Sequence, residues 1–258
     1  MDLKDFSLVI DSMAIRKMSV YDPSSGEFRG ICDYGQLIAE SPEAPATEAL
    51  VFLLVPLRGS HQYPVGYFYV DKVNSNVQTQ LVTNILKLTS DAGLIIRNIT
   101  FDGASSNITM ANKLGVDVMS LPANTSFTHP CLPEVDVHIS LDACHMLKLA
   151  RNALAEFQAF KTEDGQLIEW RYVSQLCSFQ HHEGLSLANK LTLSHIQWQK
   201  ENMKVKLAAQ TFSASVADAL EILSSVDPQI AGAEQTIHFI RQVFSSYIAV
   251  KILFVHYA

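Results

Sequence analysis

Apolar and polar positions alternate between two periods along this chain, and the change of period marks its elements. Residues 7–15 (Ser-Leu-Val-Ile-Asp-Ser-Met-Ala-Ile) form an apolar run of strand length. Asp22-Pro23-Ser24-Ser25-Gly26 reads as a turn, so a second strand is expected to return over 27–32 as a hairpin. Residues 41–48, rich in Pro, Ala and Glu, read as a loop. Leu50 to Leu57 is continuously apolar, as a central strand should be. His61 to Val70 mixes aromatics with Pro64 and Gly66 and reads as a loop plus a short extended piece.

The period then lengthens. Val77, Leu81, Ile85 and Leu88 predict a helix over 76–92, stopped by Gly93. Leu94 to Phe101 predicts a strand ending at Asp102, and 104–114 a short helix with Ser or Asn at its N-cap. A Pro-containing loop over 120–133 leads to a strand at Val135–Leu141. A helix should then begin at Asp142 and run to about Phe160, with Met146, Leu147, Leu149, Leu154 and Phe157 in the core. A hairpin and a further strand followed by alternating helices and strands match a ribonuclease H-like mixed sheet. Beyond Glu163-Asp164-Gly165, a plausible domain boundary, the pattern is helical: Trp170 to Cys177, Leu185 to Thr192, Val205 to Leu223 and Glu234 to Val243.

Bulk properties narrow the picture. The chain has 258 residues, 48% hydrophobic and 17% charged, which suits packed domains rather than disorder. Net charge is −7, which argues against DNA binding through bulk positive charge. Residues 1–160 hold 11 basic against 17 acidic residues, so the excess lies in the first part. Cys32, Cys131, Cys144 and Cys177 form no Cys-x-x-Cys pair, and a reducing compartment is the simpler inference. Cys131, His138, Cys144 and His145 lie near one another in sequence without common zinc-ligand spacing. The amino terminus does not read as a signal peptide, and Val243 to Ala258, interrupted by Lys251 and His256, is too short and broken for a membrane span.

Two acids carry the candidate chemistry. Asp11 and Asp102 each follow an apolar strand run, and carboxylates on neighbouring parallel strands can share divalent metal ions. Each would equally suit capping of a following helix. Gly103 lets the backbone turn sharply beside Asp102. Asp142 could touch metal or cap its own helix. Lys148 and Arg151, three apart on that helix, share a face and could meet phosphate or solvent. Residues 190–206 carry a local net charge of +3, and the chain contains no Gly-x-x-x-x-Gly-Lys-Ser/Thr loop.

Three blocks then resemble one family. Phe101-Asp102-Gly103-Ala104-Ser105-Ser106-Asn107 and Leu141-Asp142-Ala143-Cys144-His145-Met146-Leu147-Lys148-Leu149-Ala150-Arg151-Asn152 resemble the ribonuclease H-like core of P-element-type transposases, including their vertebrate THAP-domain relative. Leu187-Ala188-Asn189-Lys190-Leu191-Thr192 and Met203-Lys204-Val205-Lys206-Leu207-Ala208-Ala209-Gln210-Thr211 resemble the guanine-nucleotide-binding insertion domain of that family. The resemblance implies an α/β fold: a ribonuclease H-like domain at 1–160, then an incomplete, mostly helical GTP-binding insertion domain at 165–258. It implies Asp11 and Asp102 as catalytic residues holding two magnesium ions, and Lys190, Lys204, Val205 and Lys206 as nucleotide-binding residues. The implied function is metal-dependent DNA cleavage and strand transfer in a complete protein. The implied partners are DNA, GTP as structural cofactor and a second copy of the chain, in the nucleus and away from membranes. The family's third acid, a glutamate after the insertion, is expected to lie beyond this sequence, and the tail from Val243 departs from the family pattern. Two alternatives stand beside this reading: a domesticated, non-catalytic protein that binds nucleic acid or a partner, and a ribonuclease H-like exonuclease using Asp11, Asp102 and Asp142.

Overall fold

The computed structural model describes residues 4–35, 44–59, 61–72 and 74–255. Residues 41–43 of the expected loop lie outside this range. The chain divides into two compact units, Met1–Asp142 and Ala143–Val255.

The first unit is built on a sheet. Strand β1 (Asp5–Ala14) buries Phe6, Leu8 and Ile10 on one face by the two-residue period of a strand. Strands β2 (Val20–Asp22) and β3 (Glu27–Arg29) form the expected hairpin, but as a separate two-stranded ribbon outside the main sheet. Its apolar residues Val20, Tyr21 and Phe28 are all exposed, and Tyr21 and Phe28 pack edge-on against each other. The return strand of the main sheet is instead β4 (Glu48–Pro56), antiparallel to β1. β5 (Tyr63–Val70), which the sequence suggested was mostly loop, is an eight-residue edge strand. Its Pro64 and Gly66 flank a register shift against Phe52 and Leu53, and an edge position tolerates a residue without an N–H.

Helix α1 (Ser75–Asp91) starts where the Asn74 side chain accepts hydrogen bonds from the Asn76 and Val77 N–H groups, at 2.9 and 3.0 Å. It buries Leu81, Val82, Ile85 and Leu86 and ends at Gly93, whose φ of +77° suits glycine. Strand β6 (Ile95–Phe101) follows, parallel to β1, and helix α2 (Ser105–Lys113) comes next. The N-cap of α2 is Ala104, with no side-chain cap, so Ser105, Ser106 and Asn107 do not play the capping part expected of them. β7 (Ser126–His129) lies in the expected 120–133 loop and pairs antiparallel with β8 (Leu132–Leu141). The sheet order is β5-β4-β1-β6-β8-β7, with β1, β6 and β8 parallel. One sheet face joins α1 and α2 in a core containing Leu8, Phe52, Ile99, Phe101, Leu86 and Met110. On the other face the Asn98 amide donates to Ser7 Oγ at 2.9 Å and Thr100 Oγ1 at 2.8 Å, and Ser140 Oγ donates to Asn98 Oδ1 at 2.7 Å. Such a polar row is stable because its members satisfy one another.

The second unit begins with helix α3 (Ala143–Phe157), which buries Leu147 and Leu154. Leu149 and Phe157, expected in the core, are exposed: the helix buries the 147–151–154–155 stripe, and these two fall outside it. Strands β9 (Ala159–Lys161) and β10 (Leu167–Glu169) form a hairpin, and Glu163-Asp164-Gly165 is its turn. Helix α4 (Trp170–Glu183) ends at left-handed Gly184, so Leu185 to Thr192 is turn rather than the expected helix. Short helix α5 (Leu193–Ile196) and a 3-10 turn (Trp198–Glu201) lead to α6 (Val205–Thr211) and α7 (Ala214–Ser224). The single helix expected over 205–223 is thus broken, because Phe212 turns into the core against Phe239 and Ser213 adopts an extended conformation. Helix α8 (Glu234–Val255) adds Ile237 and Ile240 to that core.

Candidate functional site

Asp11 and Asp102 arrive at one place by different routes. Asp102 is the first residue after β6, as expected. Asp11 is not the end of its strand: β1 continues to Ala14, paired with β4, and Asp11 sits opposite Val51. What stops near Asp11 is the parallel pairing with β6, whose last pair is Val9 with Thr100. Both aspartates therefore stand where two parallel strands part. They line a single cleft of about 350 Å³, with Glu48, Lys72, Gln78 and Asn107.

The two carboxylates are held differently. Asp11 is exposed, and among the described residues its Oδ1 accepts only the Ser12 N–H, at 2.9 Å. Asp102 is half-buried, and its Oδ1 accepts both the Ala104 N–H at 3.0 Å and Asn107 Nδ2. Asn107 Oδ1 in turn accepts from Gln78 Nε2. No described residue donates to Oδ2 of either aspartate. Paired hard oxygens facing a cleft suit a divalent ion such as magnesium, which keeps several waters and takes only one or two protein carboxylates. Among the described residues, no group of three or more His, Cys, Asp or Glu could hold a metal ion, so Asp142 does not join Asp11 and Asp102 as a third ligand. The Asp142 N–H donates to the Phe101 carbonyl at 2.8 Å, and the residue directly precedes α3.

Gln78 was missed from the sequence, although a signal existed. It falls one turn before Leu81, Val82 and Ile85 on the buried stripe of α1, where a polar residue asks for an explanation. Glu48 and Lys72 carried no comparable signal.

In the second unit Lys190 closes the turn at 187–190, Lys204 is the N-cap residue of α6, and Val205 and Lys206 open that helix. Lys204 Nζ pairs with Glu201 Oε2 at 2.6 Å, and Lys206 is exposed. A cavity of about 410 Å³ is lined by Cys177, Gln180, Asn189, Leu191 and Thr192, among others; Lys190, Lys204, Val205 and Lys206 do not line it. Arg151, offered by the sequence as a phosphate or solvent contact, is fully buried. Its Nη2 donates to the carbonyls of Glu201 and Asn202 at 3.0 and 3.3 Å, and its Nε to Asn152 Oδ1 at 2.7 Å. Burial holds its pKa below the usual arginine value, and the nearby Glu201 charge opposes that shift. Lys148 is half-buried, so the two residues do not form a common basic surface. His195, also buried, has a pKa below that of free histidine, chiefly through desolvation, although Gln210 and Thr192 contacts pull the other way.

Comparison with known proteins agrees with this architecture. Residues 2–115 match the model of a TNP-like RNase H N-terminal domain, and residues 144–247 that of a TNP-like GTP-binding insertion domain. The human DNA transposase THAP9 is 31% identical over 239 residues, which is 92% of this chain and 26% of that protein. The Transposable element P transposase of Drosophila melanogaster is 23% identical over 235 residues, 91% of this chain and 28% of that protein. A chain of the Drosophila P element transposase strand transfer complex superimposes with a TM-score of 0.77 at 21% identity, covering 93% of this chain and 49% of that one, and so shares its fold. This chain spans about a quarter of the length of the two sequence relatives. It carries a TNP-like RNase H N-terminal domain over residues 2–115 and a TNP-like GTP-binding insertion domain over residues 144–247, and is homologous to the THAP9 and P-element transposases.

Proposed function

We propose that this chain is part of a P-element-like DNA transposase, in which Asp11 and Asp102 hold divalent magnesium for DNA cleavage and strand transfer. The observation that carries the reading is the meeting of these two aspartates, remote in sequence, at one cleft where parallel strands part. When bound, magnesium supplies a nucleophilic oxygen at neutral pH and stabilises the leaving oxygen. The protein's own share is orientation. Ala104 N–H and Asn107 fix one oxygen of Asp102, and the other receives no hydrogen bond from a described residue. The insertion domain binds GTP, with Lys190, Lys204, Val205 and Lys206 as its nucleotide residues. DNA is the substrate, and the nucleus the place of action.

Two carboxylates without a third hold magnesium weakly, so the purified chain binds the ion and cleaves DNA little. A plasmid-nicking assay with magnesium and GTP tests this, comparing the chain with its Asp11→Ala form. Little nicking by either, together with cation binding that Asp11→Ala removes, supports the reading. Vigorous nicking by the chain that Asp11→Ala abolishes would contradict the need for a third acid. Nicking unaffected by Asp11→Ala would remove this cleft from the chemistry. Among the described residues no third acid completes a metal-holding group with Asp11 and Asp102, although Glu48 lines the same cleft. This also favours a second reading, a non-catalytic DNA-binding relative, which GTP-dependent DNA affinity without cleavage would identify.

A further inference from the structure

Gln78 is 3% exposed, yet it presents an amide on the buried face of α1, which otherwise holds leucine, valine, isoleucine and Thr89, whose hydroxyl donates back to the Ile85 carbonyl of its own helix. Its Nε2 donates to Asn107 Oδ1, Asn107 Nδ2 donates to Asp102 Oδ1, and Gln78 Oε1 has no partner among the described residues. The direction of this relay follows from its far end. A carboxylate offers only acceptors, so Asn107 must turn its Nδ2 toward Asp102. That leaves Asn107 Oδ1 facing Gln78, which must answer with Nε2. The cost then appears at the near end, where a buried carbonyl goes unpaired. A leucine at position 78 would avoid that cost. The relay is not needed to join α1 and α2, because Lys113 already donates to Ser75 and Asn76 across the same helix pair. Its other effect is on Asp102: with Ala104 N–H it places both hydrogen bonds on Oδ1 and leaves Oδ2 open.

We propose that Asn107 and Gln78 are positioning residues for the metal-binding carboxylate of Asp102, Asn107 directly and Gln78 through Asn107. The inference rests on the reading of Asp102 as a metal ligand. Partners in the shell around a metal ligand set its orientation, and their loss weakens affinity by about ten- to a hundredfold.

The test is an electron paramagnetic resonance titration of the purified chain with Mn²⁺, with thermal unfolding of each variant alongside. Gln78→Leu and Asn107→Ala are each expected to weaken Mn²⁺ binding about tenfold. The thermal midpoint of Gln78→Leu should stay level or rise, an outcome that a merely structural role for Gln78 would not give. In an Asp102→Asn background neither change should weaken Mn²⁺ binding further. Should Gln78→Leu fail to fold, Asn107→Ala decides, since α2 already forms without a side-chain cap. Wild-type affinity in Gln78→Leu and Asn107→Ala, beside lost affinity in Asp102→Asn, would overturn the relay and leave the metal reading standing. Unchanged affinity in Asp102→Asn would remove the metal reading, and the relay with it.

Discussion

Among the described residues both units bury polar side chains with an unpaired atom, and two of these, Gln78 and Arg151, are used in opposite ways. In the sheet unit, Gln78 starts a chain of amides that leads outward to a carboxylate with an open oxygen at a cleft. In the helical unit, Arg151 is sealed in: its Nη2 ends on the carbonyls of Glu201 and Asn202 just ahead of α6, its Nε on Asn152, and its Nη1 meets no described partner. The first arrangement spends buried polarity on a ligand-facing group. The second uses it to fasten a loop. A charge is thus not a binding site because it is a charge; what matters is where its hydrogen bonds lead.

The largest expected effect follows from the sealed group. Arg151→Ala should cost on the order of 3 kcal/mol, because two carbonyls lose their donor and the core loses volume. Chemical denaturation measures this, and Arg151→Lys should not restore it, since a lysine cannot meet both carbonyls while also supplying the Nε–H that holds Asn152 Oδ1. A loss below about 0.5 kcal/mol would show the loop to be held otherwise. Next comes the N-cap of α1: Asn74→Ala should cost about 1 kcal/mol, seen as a lower unfolding midpoint of the sheet unit.

His195 sharpens the contrast through pH. Its folded pKa is lowered by burial, so its contribution is fully present above the unfolded value of about 6.5 and is lost as pH falls toward the folded pKa. Stability measured from pH 7 down to pH 5 should therefore fall, and His195→Gln should flatten that part of the slope. A slope unchanged by the substitution would assign it to other groups. The smallest stability change belongs to the open group: Asp11→Ala should shift unfolding by less than about 0.5 kcal/mol while removing cation binding.

Much of the sheet unit was legible in the sequence. The Leu81–Ile85 stripe, the Leu50–Leu57 run and the alternation of Val135, Val137 and Ile139 each carry a single clear period, and each element formed where that period lies. Strand β5 was seen only as a short extended piece because Pro64 and Gly66 read as loop, whereas an edge can host such residues, and β7 was missed because Pro122 and Pro130 before and after it made the whole segment read as loop. In the helical unit, periodicity ran straight through Phe212-Ser213 and Leu185–Thr192, since an apolar anchor or a glycine stop changes direction without disturbing composition. The aspartate pair could be named from the sequence. The relay behind it could not, because it depends on which amide of α1 faces α2, a fact of helix packing.

Because Asp11 lies within a strand rather than at its tip, its orientation is inherited from the pairing with β4. A slide of β1 by a single residue would send that carboxylate into the oily side and expose Ile10 in its stead. Insertions or deletions within Glu48–Pro56 are thus constrained as strictly as the aspartate itself, though none of that segment's apolar side chains performs chemistry.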